Sequence, residues 1–97
     1  MAGYLVACVQ WHNADAPNEY GKIAVESLKP FGGKYLARGQ PWAVLDGESA
    51  PERLAIVEFP TVAAAQEWAA SSAYAPALKI RKEHATTHWI AIFEGMP

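Results

Sequence analysis

Apolar residues fill both alternating sets of positions from Tyr4 to Trp11 (YLVACVQW), a run dense in β-branched and aromatic residues and too short for a typical helix. It predicts a strand with two largely apolar faces. Asp15 is placed to cap a helix whose first turn tolerates Pro17, and Tyr20, Ile23, Ala24, Leu28 and Phe31 then recur at helical spacing until Pro30, Gly32 and Gly33 end it. A second strand is expected from Lys34 to Arg38, continuing as an edge from Trp42 to Leu45 after the interruption at Gly39 to Pro41. Asp46 to Pro51 reads as a loop. Arg53 to Phe59 reads as a third strand stopped by Pro60, and Thr61 as the cap of a helix carrying Val62, Ala65, Trp68 and Ala69 on one stripe. Beyond Ser71 and Ser72, the spacing of Tyr74, Ala77, Leu78 and Arg81 predicts another helical stretch. Thr86 and Thr87 then lead into a last strand from His88 to Glu94.

The predicted order is β-α-β-β-α-β. With right-handed crossovers it gives a ferredoxin-like α+β fold: a four-stranded antiparallel sheet, spatial order 4-1-3-2, with helices on one face. No linker divides residues 1–97, so a single domain is expected. Helices cover only one face, and the other should alternate toward polar residues if it met water. It does not. Leu5, Ala7, Val9 and Trp11 are assigned to the helix side, leaving Tyr4, Val6, Cys8, Gln10 and His12 on the open side. They are joined there by Leu36 and Arg38, by Leu54, Ile56 and Glu58, and by His88, Ile90, Ile92 and Glu94. Burying even ~400 Å² of such surface gives about 10 kcal/mol gross. The pattern therefore predicts a homodimer through the open sheet face, with an interior enclosed between the two sheets.

Size and composition point the same way. A chain of 97 residues buries roughly 60 to 65% of its unfolded surface, so association adds needed burial. Apolar residues reach 52% against 19% charged, which leaves little charge to solvate a whole monomer surface. The net charge of −2, with scattered Lys and Arg, lacks the footprint of a nucleic-acid binder, and no polybasic or membrane-spanning segment is present in the sequence. Neither nucleic acid nor membrane is expected as a partner. The lone Cys8 excludes an intrachain disulfide framework and fits a reducing compartment, and Met1 leads almost directly into strand-like sequence; a cytoplasmic protein is expected.

Taken together, GGKYLARG (residues 32–39), LDG (45–47), RLAIVEFP (53–60), EWAASSAY (67–74) and IRKEHA (80–85) resemble the family called domain of unknown function 1330, within the dimeric α+β barrel superfamily. The resemblance spans nearly the whole chain and implies the fold and dimer argued above, without an established activity. The superfamily also holds cofactor-free monooxygenases, isomerases and haem-degrading enzymes. Trp68 followed by Ser71 and Tyr74 is similar to the helix pattern of the haem degraders. Where those enzymes would place the iron-ligating histidine, this chain has Leu78, which cannot coordinate iron, so no cofactor is expected.

The predicted strand directions collect His12, Arg38 and His88 at one end of the open face, and Tyr4, Glu58 and Glu94 at the other. A basic mouth walled by Val6, Cys8, Leu36 and Ile90 suits a small organic anion, with Arg38 orienting it and His12 or His88 as catalytic proton carriers. Gln10, Tyr20, Tyr35 and Trp42 complete the expected substrate-binding set. The bland alternative has Arg38 ion-paired across the dimer and both histidines as ordinary surface residues. His84 and His88 have the four-residue spacing of a helical metal pair, but Thr86 and Thr87 argue against a helix there and no third ligand is implied, so no metal is expected. Cys8, Trp68, Tyr74 and Leu78 read as packing residues, Arg81 as a carbonyl-capping residue in preference to a pocket group, and Gly32, Gly33 and Gly39 as turn residues. The functional expectation is a homodimeric barrel binding a small, partly apolar organic anion, with cofactor-free proton transfer or oxygenation as its chemistry. The alternative is a non-catalytic ligand-sensing or assembly module with a filled interior.

Overall fold

A computed structural model describes residues 1–47 and 53–97. Its elements are β1 (Gly3–Trp11), α1 (Ala16–Leu28), a short 3-10 turn (Lys29–Phe31), β2 (Lys34–Gly39), β3 (Leu54–Phe59), α2 (Val62–Ala69), α3 (Ala75–His84) and β4 (Ala85–Glu94). The sheet runs β2-β3-β1-β4 with every neighbour antiparallel, which is the ferredoxin-like topology expected from the element order.

Local chemistry explains most boundaries. Asp15 sits at the N-cap of α1 but makes no side-chain cap bond. Asn13 does that work instead, its Oδ1 accepting from the Asp15 and Ala16 amides at 3.1 and 2.8 Å. Thr61 caps α2 as expected, accepting from the Ala64 amide at 3.0 Å. The 3-10 turn after α1 closes on Gly32, whose φ of 70° is the left-handed conformation a glycine adopts without strain. None of the described helices is long and apolar enough to cross a membrane.

Several boundaries differ from the pattern-based expectation. The edge strand from Trp42 to Leu45 does not form: the ladder with β3 ends at the pair Gly39 and Leu54, and among the described residues those four have no partner strand. The third strand begins at Leu54, one residue late, and the part of the expected loop from Glu48 to Pro51 lies outside the described residues. β4 begins at Ala85, so Thr86 and Thr87 are strand residues paired with Gln10 and Val9.

Register decides which side chains face the helices. Leu5 and Ala7 of β1 pair with Val57 and Ala55 of β3 beneath the helices, while Tyr4, Val6 and Cys8 pair with Glu58, Ile56 and Leu54 on the open face. Two assignments are corrected by this register. In β4, Ile92 and Ile90 stand opposite Leu5 and Ala7 and pack into the core, so Trp89, Ala91 and Phe93 face outward instead. Both faces of that strand are apolar, and only pairing with β1 selects between them. In β2, Tyr35 pairs with Val57 but Ala37 pairs with Ile56, so Leu36 is an extra residue at a bulge. The bulge turns Arg38, opposite Ala55, to the helix side together with Tyr35.

The core between sheet and helices centres on Leu5, Leu28, Val57, Phe59, Ala65 and Trp68. Trp68 donates its indole N–H to the buried Ser27 hydroxyl at 2.9 Å, and Ser27 donates to the Ala24 carbonyl at 2.7 Å, so no polar atom of the pair is stranded. On the open face, Leu36, Trp89 and Phe93 are 50%, 46% and 52% exposed, whereas Cys8 between Leu54 and Trp89 is buried.

Candidate binding cavity between sheet and helices

The core is incomplete at one end. A cavity of about 370 Å³ opens between the helix side of the sheet and the helices, floored by Leu5, Ala7 and Val9 and walled by Trp11, Tyr20, Tyr74 and Trp68. Its volume falls at the lower end of the roughly 300–1,000 Å³ typical of small-molecule sites. Cationic side chains from three places in the chain line it: Arg38 of β2, Arg53 just before β3, and Arg81 and Lys82 of α3. Among the described residues, no carboxylate lines it.

Arg38 is held by its neighbours. Its guanidinium carbon lies 5.2 Å from the Tyr35 ring centroid, a cation–π geometry. Its Nη1 also lies 3.2 Å from the position a methyl group would take at Gly21 of α1, a close contact. Helix and strand therefore approach closely enough for the guanidinium to rest against bare backbone.

The tyrosines form the polar part of the wall. The hydroxyls of Tyr20 and Tyr74 are 2.6 Å apart, Arg81 Nε donates to Tyr74 Oη at 3.3 Å, and Arg81 Nη1 donates to Thr87 Oγ1. Arg81 thus binds side chains rather than the carbonyls it was expected to cap. Burial pushes the Tyr20 hydroxyl well above the ordinary tyrosine range, with Tyr74 adding to the rise. Burial also raises Tyr35, against an opposing pull from Arg38. Both are neutral O–H groups at physiological pH.

The structure brings Arg38, Tyr20 and Tyr35 together at this cavity and leaves the other expected site residues outside its lining. Gln10 and His12 are exposed on and just after β1, with His12 Nε2 2.8 Å from Thr86 Oγ1. His88 is the unpaired residue opposite the step from Cys8 to Val9, and Trp42 is fully exposed in the segment after β2. The grouping of His12, Arg38 and His88 at one mouth of the open face fails, because the Leu36 bulge sends Arg38 to the other side of the sheet. The opposite end is not simply acidic either: Glu58 accepts from Tyr4 at 3.1 Å and pairs with Lys34 at 3.3 Å. His84 ends α3 while His88 belongs to β4, so their spacing does not describe one helical face.

Arg53, Trp11, Trp68, Tyr74, Arg81 and Lys82 were not in the expected site set. One signal was present: Tyr74 and Arg81 are seven residues apart, about two helical turns, and so share a face. Their partnership with Tyr20 is a tertiary contact.

The fold recurs in solved structures. A protein of unknown function from Rhodopseudomonas palustris, RPA0582, is 22% identical with a TM-score of 0.70 over 99% of this chain and 83% of its own. A dimeric ferredoxin-like protein of unknown function from Jannaschia sp. CCS1 is 12% identical with a TM-score of 0.67, each chain fully covered at 100%. SnoaB, a cofactor-independent oxygenase from Streptomyces nogalater, is 12% identical with a TM-score of 0.65 over 99% of this chain and 94% of its own. No functionally curated protein matches the sequence. With its topology shared by these structures and its sequence matched from residue 2 to residue 96 by the corresponding family model, the chain belongs to the family described as Domain of unknown function (DUF1330).

Proposed function

We propose that this chain forms a homodimer through its open sheet face, each protomer binding a small, partly apolar organic anion in the cavity between its own sheet and helices. One observation carries the reading: Arg38, Arg53, Arg81 and Lys82 line an otherwise largely apolar cavity that has no described carboxylate to neutralise them. Such a site favours a ligand that supplies the missing negative charge and an apolar body. This site lies between sheet and helices and not in a chamber between two sheets, since Arg38 faces the helices. The filled interior of the assembly-module alternative lies between two sheets, a different space from the roughly 370 Å³ beside that arginine.

The dimer is supported by the apolar outward residues Leu36, Ile56, Trp89 and Phe93 and by the likeness to the dimeric Jannaschia protein. A buried lone thiol at Cys8 fits a cytoplasmic setting. Cofactor-free oxygenation of the bound anion is the chemistry that the likeness to SnoaB suggests, with oxygen uptake in the presence of a bound ligand as its assay. His12 and His88 have no part in it as proton carriers, since neither lines the cavity.

Thermal-shift screening of aromatic and aliphatic carboxylates tests the binding reading, because a ligand at 100 times its Kd adds about 2.7 kcal/mol to stability. The expected result is a rise in Tm with some carboxylates, lost in Arg38→Ala while the sedimentation behaviour of the protein is unchanged. A wild-type protein unmoved by every carboxylate overturns the reading.

A further inference from the structure

The polar contacts along the aromatic wall have a direction. Arg81 has only N–H donors, so the Tyr74 oxygen accepts from it. Were Tyr20 to donate to that oxygen as well, the Tyr74 proton would be left without an acceptor in a position only 3% exposed, at the cost of an unmet buried donor. The arrangement in which Tyr74 donates to Tyr20 leaves the one free proton of the pair on the less buried hydroxyl. Both tyrosines line the cavity, and Tyr20 is the less buried of the two, with Arg38 across Gly21 of the same helix. The surrounding wall is continuous in aromatic faces: ring centroids are 5.2 Å apart for Trp11 and Tyr20, 6.1 Å for Tyr20 and Tyr74, and 4.1 Å for Tyr74 and Trp68. A flat ring packs well against such a wall.

We infer that Arg81, Tyr74 and Tyr20 form a directed donor chain whose end, the Tyr20 hydroxyl, recognises a second oxygen on the ligand, so that the preferred class is an aromatic carboxylate with an oxygen acceptor on its ring. The inference rests on the anion-binding reading above. The cationic side chains take the carboxylate, the aromatic wall takes the ring, and Tyr20 donates to the ring oxygen. An unsubstituted aromatic acid leaves that donor unmet and binds more weakly.

Calorimetric titration of the wild-type protein with benzoate, meta-hydroxybenzoate and para-hydroxybenzoate tests this. The better hydroxybenzoate is expected to bind about tenfold more tightly than benzoate, the worth of one good hydrogen bond. In Tyr20→Phe that preference falls to within about twofold. Tyr74→Phe keeps the Tyr20 hydroxyl but removes the group that orients it, so the preference falls in the same direction by less. It also decides the matter if Tyr20→Phe does not fold. A purely structural role for the chain would lower the Tm of these variants and leave the affinity ratio alone. Benzoate binding without a hydroxyl preference in the wild type, or a preference that survives in the variants, overturns this inference and leaves the anion site standing. Failure of all three acids to bind the wild type overturns this inference, while the anion site itself is decided by the wider carboxylate screen.

Discussion

Gly21 lies in the middle of α1, buried, at a position where alanine would ordinarily be the better helix former. A methyl group there would meet Arg38 Nη1 at 3.2 Å, and among the described residues that is its one contact within 4 Å beyond its own helix and chain neighbours. The contact is with the far end of a flexible side chain, which can yield by a few tenths of an ångström. Gly21→Ala is therefore expected to move stability and binding in opposite directions. The helix gains about 0.5–1 kcal/mol from the loss of glycine's conformational entropy. For a domain of this length that raises Tm by about 2–8 °C. The displaced guanidinium loses part of a charge-assisted hydrogen bond to the ligand, itself worth roughly 1.5–3 kcal/mol, so carboxylate affinity should fall about threefold to tenfold. Differential scanning calorimetry reads the first effect and isothermal titration with benzoate the second. In the Arg38→Ala background the same substitution should still stabilise, with no further affinity to lose. A lower Tm in the single variant would mean that Arg38 is fixed against α1 and cannot move. A higher Tm with unchanged affinity would mean that the guanidinium position does not matter to the ligand.

Ser27→Ala strands the buried Trp68 indole N–H and should cost about 1–3 kcal/mol, seen as a shift of the urea midpoint at unchanged slope; a shift within error would show that the indole finds another partner. Alkaline titration should show a loss of stability beginning near pH 10. Tyr20 and Tyr35 have raised folded-state pKa values, so the unfolded chain releases its protons first, and the native contribution present below pH 10 is lost as pH rises toward the folded values. Tyrosinate absorbance should accordingly lag in the native protein, and a free-tyrosine titration curve for every tyrosine would contradict the burial argument. Ile56→Asp, which places a charge on the outward face opposite Val6, should convert the proposed dimer to monomers in sedimentation velocity runs; unchanged sedimentation of the variant would place any dimer contact elsewhere.

The site was partly readable in the chain, and the failures share one cause. Arg38, Tyr20 and Tyr35 were singled out as binding residues, and all three line the cavity. Simple alternation along Leu36 and Arg38 puts that arginine in a different chamber, because it takes no account of the bulge. A bulge is one extra residue accommodated only when two strands pair, and nothing in KYLARG requires it. Trp89 to Phe93 carry apolar residues at every position, so period-two reasoning had no contrast to work with. In the sequence Arg81 reads as a carbonyl-capping residue because its partners, Tyr74 and Thr87, lie on the turn before α3 and on β4, and its link to Tyr20 passes through a third element, α1.

By itself, then, the sequence determined the number, type and order of the main elements, and through them the antiparallel sheet with helices on one side. Those features follow from local periodicity, from breakers such as Pro60 and Gly32, and from the handedness of crossovers, all of which act within a few residues or are general to polypeptides. Only the tertiary structure decided which side of the sheet receives Arg38, where the core leaves a cavity, and which hydroxyls meet across it. These depend on strand register and on distances between segments 54 residues apart, such as Tyr20 and Tyr74, and a single-residue slip in pairing reverses the outcome without altering any local preference.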